Sequence, residues 1–306
     1  MAVQPIPLAP TDDSNHNANG MPTYPGENHP RPTRPRMSTR NRIIFFLTAW
    51  LVVLMPFMFW WSTWFGRALT SKEMNEYLND NTHPRHIQHA IVQLGQRMTR
   101  QDSSAARWYP DLVRLANNPR EEVRSTDAWV MGQDTAGQGF HETLLKMLDD
   151  PSLVVRGNAA LSLVSFGDAT GRPQIVSLLQ PVAIVSSGAG RIVDTAAIGT
   201  TIHQGGLVAK LQGSDGQQSE LRSPVTGRVR TLSTPTGTGV VPGTAVAIVE
   251  PGEEQVWESL RALYLVGQLE DLHAIRPYER ELPEVPERLR QQAIETEKAI
   301  QQRAGK

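Results

Sequence analysis

The chain has 306 residues, enough for about two soluble domains once an N-terminal region is set aside. A net charge of −1 and a pI near 6.7 exclude any general electrostatic case for binding nucleic acid or another acidic polymer. There is no cysteine, which excludes disulfides, thiolate metal sites and cysteine nucleophiles and is tolerable on either side of a membrane.

Residues 1–41 are rich in Pro, Asn, Thr and Arg and show no apolar period. Such a segment cannot bury enough surface to offset chain entropy, so a disordered cytoplasmic tail is expected. Residues 43–65, IIFFLTAWLVVLMPFMFWWSTWF, carry no charge. As a helix they span about 34 Å, against about 30 Å of bilayer hydrocarbon, and a transmembrane helix is predicted. Pro56 is tolerable in such a helix and predicts a kink. Aromatic residues concentrate here: Phe45, Phe46, Trp50, Phe57, Phe59, Trp60, Trp61, Trp64 and Phe65. Trp60, Trp61 and Trp64 fit an interfacial belt at the far end.

Arg31, Arg34, Arg36, Arg40 and Arg42 precede the span, whereas Arg67 and Lys72 follow it beside Glu73 and Glu76. The positive-inside rule then predicts a single-pass protein of the cytoplasmic (inner) membrane, N-terminus inside and soluble region periplasmic. Gly66-Arg67-Ala68 is a weak small-x-small cleavage site. The apolar run exceeds a signal-peptide core and follows a long tail, so an uncleaved anchor is expected.

From His83 the sequence repeats weakly. Pro119, Val123, Arg124 and Ala128 recur 32 residues later as Pro151, Val155, Arg156 and Ala160, and HPRHIQHAIVQLG from His83 is a fainter copy. Each unit places a proline where a helix can begin, then small Gly157, Ala159 and Ala160 for close approach, then Leu161, Leu163 and Val164. Gly167-Asp168 ends the helix and caps the next turn. RWYPDLVRLA from Arg107 and FHETLLKMLD from Phe140 have the spacing of partner helices. The arrangement resembles HEAT repeats over 83–180, with the Asp149–Asp168 unit the most specific match. The resemblance implies stacked antiparallel helix pairs that bind or brace macromolecules without chemistry of their own.

Residues 182–250 change to a Val, Ile, Thr and Gly-rich pattern of short strand-like runs. Two halves correspond: Gly190-Arg191-Ile192-Val193 with Gly227-Arg228-Val229-Arg230, and Ile202, Gly205 and Leu211 with Val240, Gly243 and Val249, 38 residues on. With Ser223-Pro224-Val225-Thr226-Gly227-Arg228-Val229 as its most telling stretch, the segment looks like the barrel-sandwich hybrid of biotinyl/lipoyl domains and of periplasmic adaptor (membrane-fusion) proteins. That resemblance implies two interlocked β-units around a pseudo-twofold. It also implies a modified lysine at the hairpin tip, or a helical hairpin inserted there. The tip here, Gly213 to Ser219, has neither, and Lys210 lies three residues before it. No covalent cofactor is therefore expected.

After Glu250 a helical pattern returns, with Val256, Leu260, Leu263, Val266 and Leu269 at helix spacing and Gly267 placed as Gly167 is. Residues 254–280 are expected to form one more HEAT-like pair, making the β-domain an insertion. The alternative is an unrelated helix packed on the β-domain. Residues 284–306 predict a polar C-terminal helix, exposed or binding a partner.

His83, His86 and His89 fall at i, i+3 and i+6, a spacing that spreads them round a helix, with no Asp or Cys expected to complete a metal set. His203 is expected at the surface, and Ser187-Gly188-Ala189-Gly190-Arg191 lacks the ending of a phosphate loop and predicts tight turns. No G-x-S-x-G elbow, paired-carboxylate arrangement or zinc-helix motif is present. No catalytic, cofactor-binding or metal-binding residue is expected. The fold class predicted is multidomain: one transmembrane helix, a HEAT-like helical array and a small all-β barrel-sandwich hybrid. The function predicted is a non-catalytic, membrane-anchored scaffold or adaptor with protein partners and no nucleic acid. The alternative is an accessory subunit of a transport or secretion (efflux) complex.

Overall fold

A computed structural model of the chain describes residues 38–64 and 67–305, with the backbone alone for 59–64. The chain divides into two units, Met1–Arg67 and Ala68–Lys306. Residues 1–37, Phe65, Gly66 and the side chains of Trp60, Trp61 and Trp64 lie outside the described residues. So do the expectations placed on them: most of the disordered tail, three of the five preceding arginines, the aromatic belt and part of the cleavage site.

Helix α1 (Thr39–Trp64) runs for 26 residues and contains Pro56. Its start corrects one boundary, because residues 39–41 are helical where tail was expected; Arg42 N donates to Ser38 O at 3.0 Å. Extending a formed helix adds one hydrogen bond per residue fixed, so a polar flank continues it at low cost. Among the described residues α1 is the one helix long and apolar enough to cross a membrane, with mean hydropathy 1.8 over Thr39–Met58. Phe45, Phe46, Trp50, Val53 and Met58 are all exposed, so no single seam marks a protein-packed face.

The second unit opens with α2 (Ser71–Leu78), started by a capping box in which Thr70 and Glu73 exchange side-chain and backbone hydrogen bonds. Six helices follow: α3 (Pro84–Thr99), α4 (Tyr109–Leu115), α5 (Glu121–Met131), α6 (Phe140–Met147), α7 (Leu153–Ser165) and α8 (Arg172–Leu178). Proline stands at the first or second position of α3, α4 and α8, where a missing N–H costs nothing. Gly167, left-handed at φ 73°, ends α7.

Helices α3, α5 and α7 stack side by side and run in the same direction. Gln88 Nε2 donates to Glu122 O across a separation of 34 residues, and Gly95 meets Val130 further along the same pair. Asn158 Nδ2 donates to Ser125 O across 33, and Ser162 Oγ to Ala128 O across 34. The repeated arginines are built alike. Arg124 Nη1 donates to Asn118 O and Pro119 O, and Arg156 Nη1 donates to Asp150 O and Pro151 O. Arg124 also forks onto Asp150 of the next unit, at 2.6 and 2.9 Å.

Eight strands interrupt the helices: β1 (Val182–Val185), β2 (Gly190–Thr195), β3 (Thr201–Ile202), β4 (Leu207–Gln212), β5 (Gln218–Arg222), β6 (Gly227–Leu232), β7 (Gly239–Val240) and β8 (Ala245–Pro251). They form two four-stranded antiparallel sheets, ordered β1-β8-β6-β3 and β5-β4-β2-β7. Exchanging each strand of β1–β4 with its counterpart in β5–β8 turns one order into the other. Each sheet therefore takes strands from both halves, around one core that includes Ile184, Ile192, Val208, Val229, Val246 and Val249. The two sheets have free edges, so the strands do not close into a barrel.

Two glycines show why the halves share a sequence signature. A Cβ on Gly227 would lie 1.9 Å from Glu250 O, and one on Gly190 would lie 2.8 Å from Gln212 O. At both equivalent positions a neighbouring backbone passes too closely for any side chain.

β1 and β8 are neighbours, with Val182 opposite Val249, so the chain enters and leaves the strands side by side. Leu153 and Val154 of α7 pack against the β core, and Gln204 Nε2 donates to Glu121 Oε1 at 2.7 Å. Beyond the strands come α9 (Glu253–Val266), α10 (Leu272–Ile275) and α11 (Glu287–Ala304). These share one apolar core with α2–α8. Arg172 of α8 pairs with Glu270 and, at 3.0 Å, with Asp271, while Tyr278 Oη donates to Leu179 O at 2.7 Å.

Two expectations are corrected here. The C-terminal helix is not an exposed polar rod, because Leu289, Ala293, Thr296 and Ile300 of α11 are buried against α9 and Thr296 Oγ1 donates to Leu260 O at 3.0 Å. Those four positions recur on one side of the helix, a narrow stripe that overall polarity conceals. Gly267 does not end its helix as Gly167 does, since it is extended (φ −63°, ψ 154°). Its lack of a side chain serves packing instead, because a Cβ there would meet Ile300 Cδ1 at 2.7 Å.

Candidate functional site

The β4–β5 hairpin holds the stretch Gly213 to Ser219, where the resemblance to biotinyl/lipoyl domains leads one to look for a lysine. Its turn is closed by Gly213 N donating to Gln217 O at 2.9 Å, with Gly216 left-handed at φ 77° and Asp215 Oδ1 accepting from Gln217 N at 3.0 Å. Residues Gly213 to Ser219 contain no lysine. Lys210 stands back in the ladder, opposite Asp194 on one side and Glu220 on the other. A lysine in that register is held along a sheet between two acids rather than presented at an apex.

The second cluster lies between α2 and α3. Asp80 follows α2, and Pro84 begins α3, which leaves His83 as the residue before the helix rather than within it. Asp80 Oδ1 accepts hydrogen bonds from Thr82 N (3.1 Å), Thr82 Oγ1 (2.5 Å) and His83 N (3.2 Å). Its other oxygen, Oδ2, lies 2.9 Å from His83 Nδ1 and 2.7 Å from His86 Nδ1. The Thr82 hydrogen bond, then those of His86 and His83, hold the Asp80 carboxyl well below the usual carboxylate range. His86 is stacked on Tyr77, ring centroids 4.4 Å apart and planes within 11°.

This arrangement corrects the expectation that the histidines diverge and lack an acid. His83 and His86 converge because Pro84 sets the helix start between them, and Asp80 completes the group through the preceding turn. His89 makes a different contact: its Nε2 is 2.9 Å from Gln93 Nε2. The findable signal was the run Asp80-Asn81-Thr82-His83-Pro84, an Asx turn leading into a proline-started helix. His203 is exposed, and Ser187 to Arg191 spans the β1–β2 connection and the start of β2.

Asp127 of α5 is fully buried, and neither carboxylate oxygen has a hydrogen-bond partner. Burial pushes its pKa well up, opposed only by the charge of Arg114. Tyr109 Oη donates to Asp134, and burial followed by that carboxylate raises its pKa. Asp168, which accepts from Thr170 N at 2.8 Å, also meets His141 Nε2 at 2.7 Å.

No protein-family model matches the chain, and no curated protein matches it. Among solved structures, the chain resembles one described as a single-chain, multi-domain long-chain acyl-CoA carboxylase, at 16% identity and a TM-score of 0.23. The match covers 44% of this chain and spans 14% of that one. At that score it carries no argument about this chain.

Proposed function

We propose that this protein is a membrane-anchored, non-catalytic scaffold or adaptor that holds protein partners on the extracytoplasmic side. The observation that carries the reading is the single helical core running from α2 to α11 past the strand module. Same-direction helices stacked at a step of about one repeat fit a HEAT-like solenoid, whose use is extended surface rather than chemistry. The symmetric pair of sheets fits a biotinyl/lipoyl-like module, and a hairpin without a lysine at its tip suits contact rather than group carriage. Val92 and Trp129 project outward from the stacked helices α3 and α5, at 37% and 50% exposure, and offer apolar contact to a partner.

α1 supplies the anchor, with Arg40 and Arg42 at its first turn supporting an inside N-terminus. Protease added to the outer face of intact cells or spheroplasts then digests the region after Ala68 and spares the Met1 end. Digestion of the Met1 end alone overturns the orientation. Cross-linking with mass spectrometry on intact membranes tests the scaffold itself. Reproducible cross-links from α3 and α5 to one partner support it, and recovery of an isolated monomer alone refutes it.

A second reading, an accessory subunit of a transport or secretion complex, draws on the two-sheet module. Co-purification with a transporter favours it, and an adduct on Lys210 in the intact mass overturns both readings.

A further inference from the structure

We propose that Asp80, His83 and His86 form a binding site for a divalent transition-metal ion, zinc being the best fit. One donor atom from each residue lies within 4.8 Å of the others. Both imidazole Nδ1 atoms already converge on the same carboxylate oxygen, at 2.9 and 2.7 Å. In a tetrahedral zinc site with bonds of about 2.0–2.1 Å, ligand atoms stand about 3.3 Å apart. Each imidazole Nδ1 reaches that separation from Asp80 Oδ2 by opening a few tenths of an ångström, and rotation of the His83 and His86 side chains, 64% and 42% exposed, sets the separation of the two imidazole donors, which starts within 4.8 Å.

The carboxylate is divided between two tasks. Oδ1 is tied by two backbone N–H groups and the Thr82 hydroxyl, which aims Oδ2 at the histidines. Partners of this kind, holding a ligand by its other atom, orient metal ligands and raise affinity. Tyr77 stacks on the His86 ring, and Pro84 fixes the backbone on which His83 sits. The structure thus limits all three ligands before any ion arrives. Binding exchanges for metal bonds the contacts of His83 Nδ1 with Asp80 Oδ2 (2.9 Å) and Thr82 Oγ1 (2.8 Å) and that of His86 Nδ1 with Asp80 Oδ2 (2.7 Å), and an imidazole that ligates through Nδ1 carries its proton on Nε2.

The donor set selects the class of ion. Two imidazoles and one carboxylate suit Zn, Co, Ni or Cu, whereas Ca and Mg require oxygen ligands. Three protein ligands leave a coordination position for water or for a side chain of a bound partner.

The test is a titration of the full-length, untagged chain in detergent with zinc against a chromophoric chelator, and with cobalt followed in the visible region. One equivalent of zinc is expected to bind, and cobalt is expected to give the absorption of a low-coordinate site. His83→Gln and His86→Ala each weaken binding at least about tenfold, and Thr82→Val, which touches no metal, weakens it about tenfold. His89→Ala and a double variant of the two histidines of the N-terminal segment, His16→Ala/His29→Ala, bind as the parent does. His83 is exposed, so His83→Gln retains the helical circular-dichroism signal and separates lost binding from lost folding. Absence of a saturable equivalent, or equal affinity in the His83 and His86 variants, overturns the proposal and leaves Asp80 as a turn cap. Loss of binding in the His16/His29 variant alone does so too.

Discussion

Asp127 offers the sharpest test of the packing described above. Its carboxyl is buried completely, both oxygens lack partners, and the equivalent position one repeat later is Ala159, also buried. Burial favours the neutral acid, so the folded chain holds a proton that the unfolded chain releases above a pKa of about 3.9. The folded state binds more protons, and stability is greatest below the unfolded pKa and falls as pH rises toward the raised folded value. The limiting slope is about 1.36 kcal/mol per pH unit, so between pH 5 and pH 7 this one group removes up to about 2.7 kcal/mol. Asp127→Asn keeps the shape and abolishes the titration. Urea unfolding of both chains in detergent, followed by circular dichroism at pH 5, 6 and 7, should show the variant gaining on the parent at each step. A stability difference that stays constant across that range, or moves against the variant as pH rises, refutes the reasoning.

Other perturbations follow from particular contacts. Arg124→Ala removes the ion pair from the Asp150 carboxylate, only 8% exposed at its side chain, leaving it the Ser152 N–H, and should cost about 2–4 kcal/mol in urea unfolding. Arg156→Ala loses hydrogen bonds to two carbonyls and no ion pair among the described contacts, and should cost about 1–2 kcal/mol. Gly227→Ala drives a methyl group into Glu250 O and should abolish the cooperative unfolding of the strand module, whereas Gly188→Ala, with open space around it, should leave the thermal midpoint unchanged. Ile300→Ala should cost about 2–5 kcal/mol and expose the α9–α11 contact to proteolysis, an effect no solvent-exposed C-terminal helix would produce.

Local physics repeated along a chain can be read without coordinates. The uncharged run through Ile43 to Phe65 shows itself by composition, because hydrocarbon solvates no charge. Gly190 and Gly227 mark equivalent points of a duplicated β-unit, because the same close backbone approach forbids a side chain in each half. The paired Pro-x-x-x-Val-Arg motifs mark helix starts whose arginines close onto the preceding turn in the same way. The stripe on α11 was present in the sequence too, but four small or apolar positions among many charged ones do not reveal a partner helix until α9 supplies one.

What the tertiary structure alone decided is where separate patterns meet. The strand order, with each half completing the other's sheet, depends on pairings between residues far apart in sequence. The burial of Asp127 depends on neighbours contributed by other helices. The Asp80 cluster is the clearest case. Helical spacing by itself scatters His83, His86 and His89, and Asp80, three residues before His83, stands outside that spacing. Pro84 holds His83 outside the helix, and the Asx turn at Asp80 folds a carboxylate back beneath it. The direction of three side chains follows from that backbone turn, and residue periodicity contains no information about it.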